Sequence, residues 1–188
     1  MKIITLLGSA RSKGNTATFL DWIEKELKSL GHEVESIYLN SKKINSCLGC
    51  FKCKEHTEKI GCIQNDDAIE ILGKIINAEL TIFASPLYFW GFSAQIKALI
   101  DRSFSLVTNY HQPNHASLIE NKKQALLVTG GGAYENNAEP VFTAFDRIIK
   151  FYKGIKAGEL FLDKCTTPQE MDTKIKDKAI KFARKIAG

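Results

Sequence analysis

The sequence predicts an α/β protein in three layers, a doubly wound, five-stranded parallel sheet of strand order 2-1-3-4-5 with helices on both faces. Three observations lead there. Five short, nearly continuous apolar runs recur along the chain, the pattern of strands buried on both faces rather than one. The segments between them repeat apolar residues at helical spacing. Strands alternating with helices make right-handed crossovers, which build a parallel sheet and cover it.

The elements follow in order. Lys2 to Leu7 reads as a buried strand that runs into a Gly-containing turn. From Thr16 to Leu30 the spacing predicts a helix with Leu20, Ile23, Leu27 and Leu30 on one face, and Gly31 stops it. Glu33 to Leu39 alternates as the second strand, and a polar, cysteine-bearing loop occupies 41–65. Asp67 reads as an N-cap, with Glu70 three residues on completing a capping box for a helix to Ile76. Leu80 to Ser85 is the third strand. Ser93 to Val107 is a helix with Ile96, Leu99, Ile100 and Phe104 inward. Ser105 to Lys123 is a long connection without periodicity, of the kind that forms lids and contact loops. Gln124 to Thr129 is the fourth strand, and Pro140 opens a helix that runs to about Lys153. Ala157 to Leu162 is the fifth strand, and Thr167, Pro168 and Glu170 cap the last helix. No repeat or composition shift divides the chain, so 1–188 reads as a single domain.

Bulk composition narrows the function classes. Of the 188 residues, 44% are hydrophobic and 25% charged, which fits a globular protein with a core. A formal charge of +5 is too mild to indicate nucleic acid, and the Lys- and Arg-rich C-terminal segment reads as the solvated face of an amphipathic helix. No export signal and no bilayer-length apolar stretch is visible, so the expectation is a cytoplasmic protein with reduced thiols and no membrane partner.

Three loops carry the chemistry. Gly8-Ser9-Ala10-Arg11-Ser12-Lys13-Gly14-Asn15-Thr16 joins the first strand to the first helix. Free N–H groups and the helix dipole favour an anion there. Ser9, Ser12, Asn15 and Thr16 offer side-chain donors, and Arg11 offers charge-assisted bonds to phosphate. Neither the dinucleotide fingerprint nor the Walker A pattern is present, so a compact monophosphate suits the loop best. The plain alternative is a Ser- and Gly-rich turn that only caps a helix. After the third strand, Pro86, Leu87, Tyr88, Phe89 and Trp90 set aromatic surface beside the strand's carboxyl end, fit for a planar ring. After the fourth, Thr129, Gly130 and Gly131 let backbone amides approach a ligand edge. All three loops meet at a topological switch point. A phosphate on the first and a flat ring between the other two describe FMN.

With these residues in view, the sequence resembles the NADPH-dependent FMN reductase and iron–sulfur flavoprotein branch of the flavodoxin-like superfamily. The resemblance rests on Gly8 to Thr16, on Cys47-Leu-Gly-Cys50-Phe-Lys-Cys53, on Cys62 with Asp66-Asp67, on Ser85-Pro-Leu-Tyr88 and on Lys97-Ala-Leu-Ile-Asp101-Arg102. It implies FMN binding, hydride transfer from NAD(P)H through the flavin to flavin, quinone or nitro-type acceptors, and a homodimer or homotetramer. By position, it implies that Ser9, Arg11, Ser12, Asn15 and Thr16 hold the phosphate. Pro86 to Trp90 would hold the ribityl chain and ring, and Thr129, Gly130 and Gly131 would border the ring. The flavin supplies the chemistry, and no catalytic acid–base pair is expected from the protein.

Cys47, Cys50, Cys53 and Cys62 leave three readings open, taken in this order: a metal-free loop, a [4Fe–4S] cluster, and zinc with His56 as an alternative ligand. Relatives with a cluster usually have a shorter last gap than Cys53 to Cys62. Function reads first as an FMN-dependent NAD(P)H oxidoreductase. The alternatives are an iron–sulfur flavoprotein carrying electrons between protein partners, and a redox or metal sensor switched through the cysteine loop. A pI near 8.9 and Arg11 favour the enzyme, because flavodoxin carriers are typically acidic and use a Thr-rich phosphate loop.

Overall fold

Side chains of a buried strand alternate between two faces, and here each face meets its own helix layer. The structure is a computed structural model describing residues 1–56, 58–165 and 167–188; Thr57, inside the expected cysteine-bearing loop, and Thr166 lie outside the described residues. Its elements are β1 (Lys2–Leu7), α1 (Asn15–Ser29), β2 (Glu33–Tyr38), α2 (Asp67–Asn77), β3 (Leu80–Pro86), α3 (Ala94–Arg102), β4 (Val107–Thr108), β5 (Ala116–Ser117), β6 (Lys123–Thr129), α4 (Glu139–Phe151), β7 (Ile155–Leu162) and α5 (Thr173–Ala187).

The five long strands pair in parallel in the order β2-β1-β3-β6-β7. This is the expected 2-1-3-4-5 arrangement, with a small antiparallel pair, β4 and β5, inserted in the long connection before β6. Leu80, Ile82 and Ala84 of β3 join Phe19, Leu20, Ile23 and Leu27 of α1 and Phe182 and Ile186 of α5 in one apolar cluster. Phe83, Leu126 and Val128 join Ile71, Leu72 and Ile75 of α2, Ile96 and Leu99 of α3, and Phe142 and Phe145 of α4 in the other. The order reverses beside β1, so a crevice opens at the carboxyl ends of β1 and β3.

Several element ends differ from the sequence expectation. Leu30 is the C-cap of α1 and 46% exposed, because the helix closes one residue early and turns that side chain out of the core. Asp66, not Asp67, caps α2, accepting from the Ala68 N–H; Glu70 pairs with Lys74 instead of closing a capping box. α3 stops at Arg102 rather than Val107. There the Ser103 hydroxyl bonds the Ile100 carbonyl and the Ser105 hydroxyl bonds that of Arg102, and the chain tightens into a 3₁₀ turn over Ser103–Leu106. Thr167 and Pro168 open a short 3₁₀ turn, and Asp172 caps α5 through the Ile175 N–H.

Candidate functional site

The first loop is tied down before any ligand is considered. The Gly8 N–H donates to the Ala84 carbonyl of β3 at 2.8 Å. A Cβ on Gly8 would stand 2.2 Å from Ile96 Cγ1 and 2.7 Å from Ser93 Oγ. Gly8 is therefore required by the close approach of α3, not only by a ligand. The Ser9 hydroxyl bonds the backbone of Arg11 twice, through its carbonyl and its N–H, each at 3.1 Å. Ser9 thus shapes the loop from inside. Tyr38, at the end of β2, donates its hydroxyl to the Ala10 carbonyl at 2.7 Å and braces the same loop.

The helix behind this loop starts uncapped. Gly14 holds the N-cap position with extended backbone and no side-chain cap, and the first turn carries no acidic residue. The Thr18 N–H opens the ladder at the Gly14 carbonyl, so the N–H groups of Asn15, Thr16 and Ala17 have no acceptor within the helix. Asn15 and Thr16 are buried there. Asn15 Oδ1 has no hydrogen-bond partner, and rotating the amide would present its NH₂ instead. The Arg11 side chain lies over the helix start, with Nε 3.4 Å from the position of a Cβ on Gly14. Ser12 is exposed on the outer rim. Free amides, a dipole and one guanidinium, with no competing carboxylate in the first turn, fit a phosphate group.

The second and third loops join the first through Thr129, whose Oγ1 lies 2.7 Å from that of Thr16. The Leu87 N–H donates to the Thr129 carbonyl at 2.8 Å. Between the loops lies an open cleft of about 380 Å³ lined by Leu87, Tyr88, Phe89, Trp90, Gly130, Gly131, Gly132 and Asn137. Pro86 is the last residue of β3 and lies behind this cleft, buried and paired with Thr129. Beneath Gly130, Phe161 packs so closely that a Cβ would meet its ring at 2.9 Å, whereas Gly131 faces open space. Tyr88 and Gly91 exchange backbone hydrogen bonds around Phe89 and Trp90, which have φ of 44° and 62°. That is the left-handed pair normally given to Asn-Gly, and it displays Phe89 93% exposed at the tip. Gly132 belongs to the glycine run after the fourth strand, whereas Tyr38 and Asn137 were missed in the sequence. No motif marks them, and only the sheet order and the turn after β6 bring them to the site.

The cysteine loop forms a separate cavity. Cys47, Cys50, Cys53 and Cys62 all line a space of about 330 Å³ with Phe51, Phe104 and Arg102. Among the described residues, however, no three His, Cys, Asp or Glu side chains stand together as metal ligands do. As placed, the thiols do not fit a [4Fe–4S] or zinc site. Burial pushes the Cys53 thiol up, opposed by Lys54 and reinforced by the sulfurs of Cys62, Cys47 and Cys50. The Lys54 ammonium reaches the Phe104 and Val107 carbonyls and sits 3.8 Å over the Phe104 ring, fastening the loop to the end of α3. The neck of the loop is closed by Arg102 and Asp66, whose side chains are both fully buried. Arg102 grips Asp66 through both terminal nitrogens, at 2.6 and 3.0 Å, and donates to the carbonyls of Asn45 and Gln64. Burial would raise the Asp66 carboxyl, but hydrogen bonds from Arg102, Asn45 and Ala68 and the Arg102 charge outweigh it and hold it below the ordinary range. Both residues lie in stretches that carry the resemblance, but nothing in the sequence joined them. Cys165 stands apart after β7, its thiol pushed up to about 11 by burial. Among the described residues no helix is long and apolar enough to cross a membrane.

Comparison with known proteins agrees with this layout. The profile of the NADPH-dependent FMN reductase family matches residues 1–148. An iron–sulfur flavoprotein of Archaeoglobus fulgidus is 34% identical over 158 residues, 84% of this chain and 66% of that one. Two further iron–sulfur flavoproteins, from Methanocaldococcus jannaschii and A. fulgidus, are matched over 58% and 60% of their lengths. The chain thus spans only 58–66% of these curated relatives. Among solved structures, an azoreductase from Bacillus anthracis superposes with a TM-score of 0.74 at 17% identity, covering 100% of this chain and 98% of that one. An NAD(P)H:quinone oxidoreductase from Methanothermobacter marburgensis gives 0.71 at 16%, covering 98% and 95%. These two likenesses speak to the fold. The profile match, beside a relative 34% identical over most of the sequence, makes this chain a member of the NADPH-dependent FMN reductase family.

Proposed function

We propose that the chain is a cytoplasmic FMN-dependent NAD(P)H oxidoreductase that reduces flavin, quinone or nitro-type acceptors. One observation carries the reading: an uncapped helix start with buried Asn15 and Thr16, joined through Thr129 to a cleft walled by aromatic and glycine residues. Family membership and the azoreductase and quinone reductase names among the structural neighbours support it.

Bound at this site, FMN supplies hydride acceptance and release at its ring. The protein's task is to hold and orient. The amides of Asn15 and Thr16, the donors of Ser12 and Asn15, and Arg11 hold the phosphate, while Ser9 and Tyr38 keep the loop in shape. Leu87, Tyr88, Phe89 and Trp90 wall one side of the ring site, and Thr129, Gly130 and Gly131 border the other. The cleft is open to solvent, and there a nicotinamide and then an acceptor would bind beside the cofactor. Exposed Phe89 and Trp90 are the surface on which a second subunit of a homodimer or homotetramer would close. The test mixes FMN-loaded protein with NADH or NADPH without oxygen. Flavin absorbance near roughly 450 nm, a property of the cofactor, is expected to bleach, and its persistence with both nucleotides would sink the reading.

A second reading, an iron–sulfur flavoprotein carrying electrons between proteins, draws on the relatives' names, while the loop thiols as placed form no ligand set. Iron and sulfide analysis of anaerobically purified protein separates the two.

A further inference from the structure

We propose that Cys53 and Cys62 form a reversible disulfide when the protein meets a hydroperoxide, making the cysteine cavity a thiol oxidation site. The inference is independent of the flavin reading.

The four loop thiols are not equivalent. Cys47 and Cys50 are exposed, whereas Cys53 and Cys62 are half-buried. The Cys47 sulfur already accepts from the Gly49 N–H at 3.5 Å. The backbone leading into Cys62 runs directly against Cys53: a Cβ on Gly61 would stand 3.0 Å from Cys53 Cα and 2.8 Å from its carbonyl oxygen. Gly61 thus permits a backbone contact at Cys53 one residue before Cys62, and both thiols line the same cavity.

A second observation places a donor in the cavity wall. The Arg102 side chain is fully buried and lines the cavity, and its Nε has no hydrogen-bond partner although both terminal nitrogens are engaged. Cys62 lines the same cavity as that guanidinium. A fixed N–H donor and a positive charge in the cavity wall stabilise the oxygen that departs from the peroxide.

The chemistry balances as follows. A sulfur lone pair of Cys62 attacks one peroxide oxygen, the O–O bond breaks, and the other oxygen leaves with the thiol proton as water. Cys62 is then a sulfenic acid. The Cys53 sulfur attacks the Cys62 sulfur, the S–S bond forms, the S–OH bond breaks, and hydroxide leaves with the Cys53 proton as a second water. Two thiols are oxidised, and one hydrogen peroxide is reduced to two waters.

The experiment treats the purified full chain with hydrogen peroxide, denatures it, alkylates the free thiols and maps the peptides. Alkylatable cysteines are expected to fall from five to three, a Cys53–Cys62 linked peptide to appear, and dithiothreitol to restore all five. Cys53→Ser and Cys62→Ser should each abolish the linkage, while Cys47→Ser and Cys50→Ser should leave it. A different pairing, intermolecular products alone, or five thiols persisting would each overturn the proposal. So would stoichiometric iron that shields all four loop thiols. Bleaching by NAD(P)H is scored on the same samples, so failure of the disulfide and failure of the flavin reading are told apart.

Discussion

Arg11 and Tyr38 act on the same loop from opposite sides, and they differ in how readable they were. Arg11 sits inside a local motif, between Gly8 and Thr16, and its side chain does lie over the start of α1. Arg11→Ala should weaken FMN binding by about 1.5–3 kcal/mol, the range for a charge-assisted hydrogen bond. Riboflavin, which has no phosphate, should bind the variant as it binds the parent, and titrating both ligands by fluorescence quenching checks this. Equal losses would take Arg11 off the phosphate. Tyr38 contacts Ala10 across 28 positions of sequence. That contact exists because β1 and β2 are neighbours in register, which no local pattern states. Ser9 was legible as a polar residue of the loop, but its hydroxyl turned out to bond the loop's own backbone.

Elements were legible in kind and less so at their ends. Apolar runs and helical periodicity located every strand of the main sheet and every long helix, because burial on both faces leaves a strong pattern. End points depend on single side chains that choose between competing partners. Asp66 caps α2 and also receives Arg102, so it takes the position that spacing alone gave to Asp67. Likewise, serine hydroxyls turn α3 into a 3₁₀ coil after Arg102, where the apolar pattern runs on through Phe104. The packing of α3 on the first loop gives a sharp expectation. Gly8→Ala pushes a methyl into Ile96 and Ser93, so it should destabilise the fold by about 1–3 kcal/mol, the usual range for overpacking. Urea denaturation measures it. Gly131→Ala, which meets nothing within 4 Å, is the control expected to change little.

Across the whole molecule, the buried Asp66–Arg102 pair fastens a long loop to the core, and it links stability to pH. The Asp66 carboxyl is held below its ordinary value, so its contribution is present above the unfolded pKa, about 3.9, and is lost as pH falls through the folded value. Acid unfolding should therefore begin below about pH 4 and shift when Asp66→Asn removes this titration. Arg102→Ala, which leaves a buried carboxylate alone, should cost about 3–5 kcal/mol at neutral pH. Circular dichroism followed through pH and denaturant titrations reads both. Both residues stand in stretches that carry the resemblance, but their pairing lay hidden because the partners are 36 positions apart. The hairpin tip at Phe89 and Trp90 carries a different consequence. Two aromatic residues occupy a left-handed bend that their side chains disfavour, so the native chain is less sturdy there than its topology allows. Replacing them together, Phe89→Asn with Trp90→Gly, should relax the bend and raise the melting temperature, equivalent to a gain of about 1–3 kcal/mol. The same replacement strips the rim of its rings. Anyone engineering this scaffold for heat tolerance would find the simplest improvement at the residues proposed to wall the flavin.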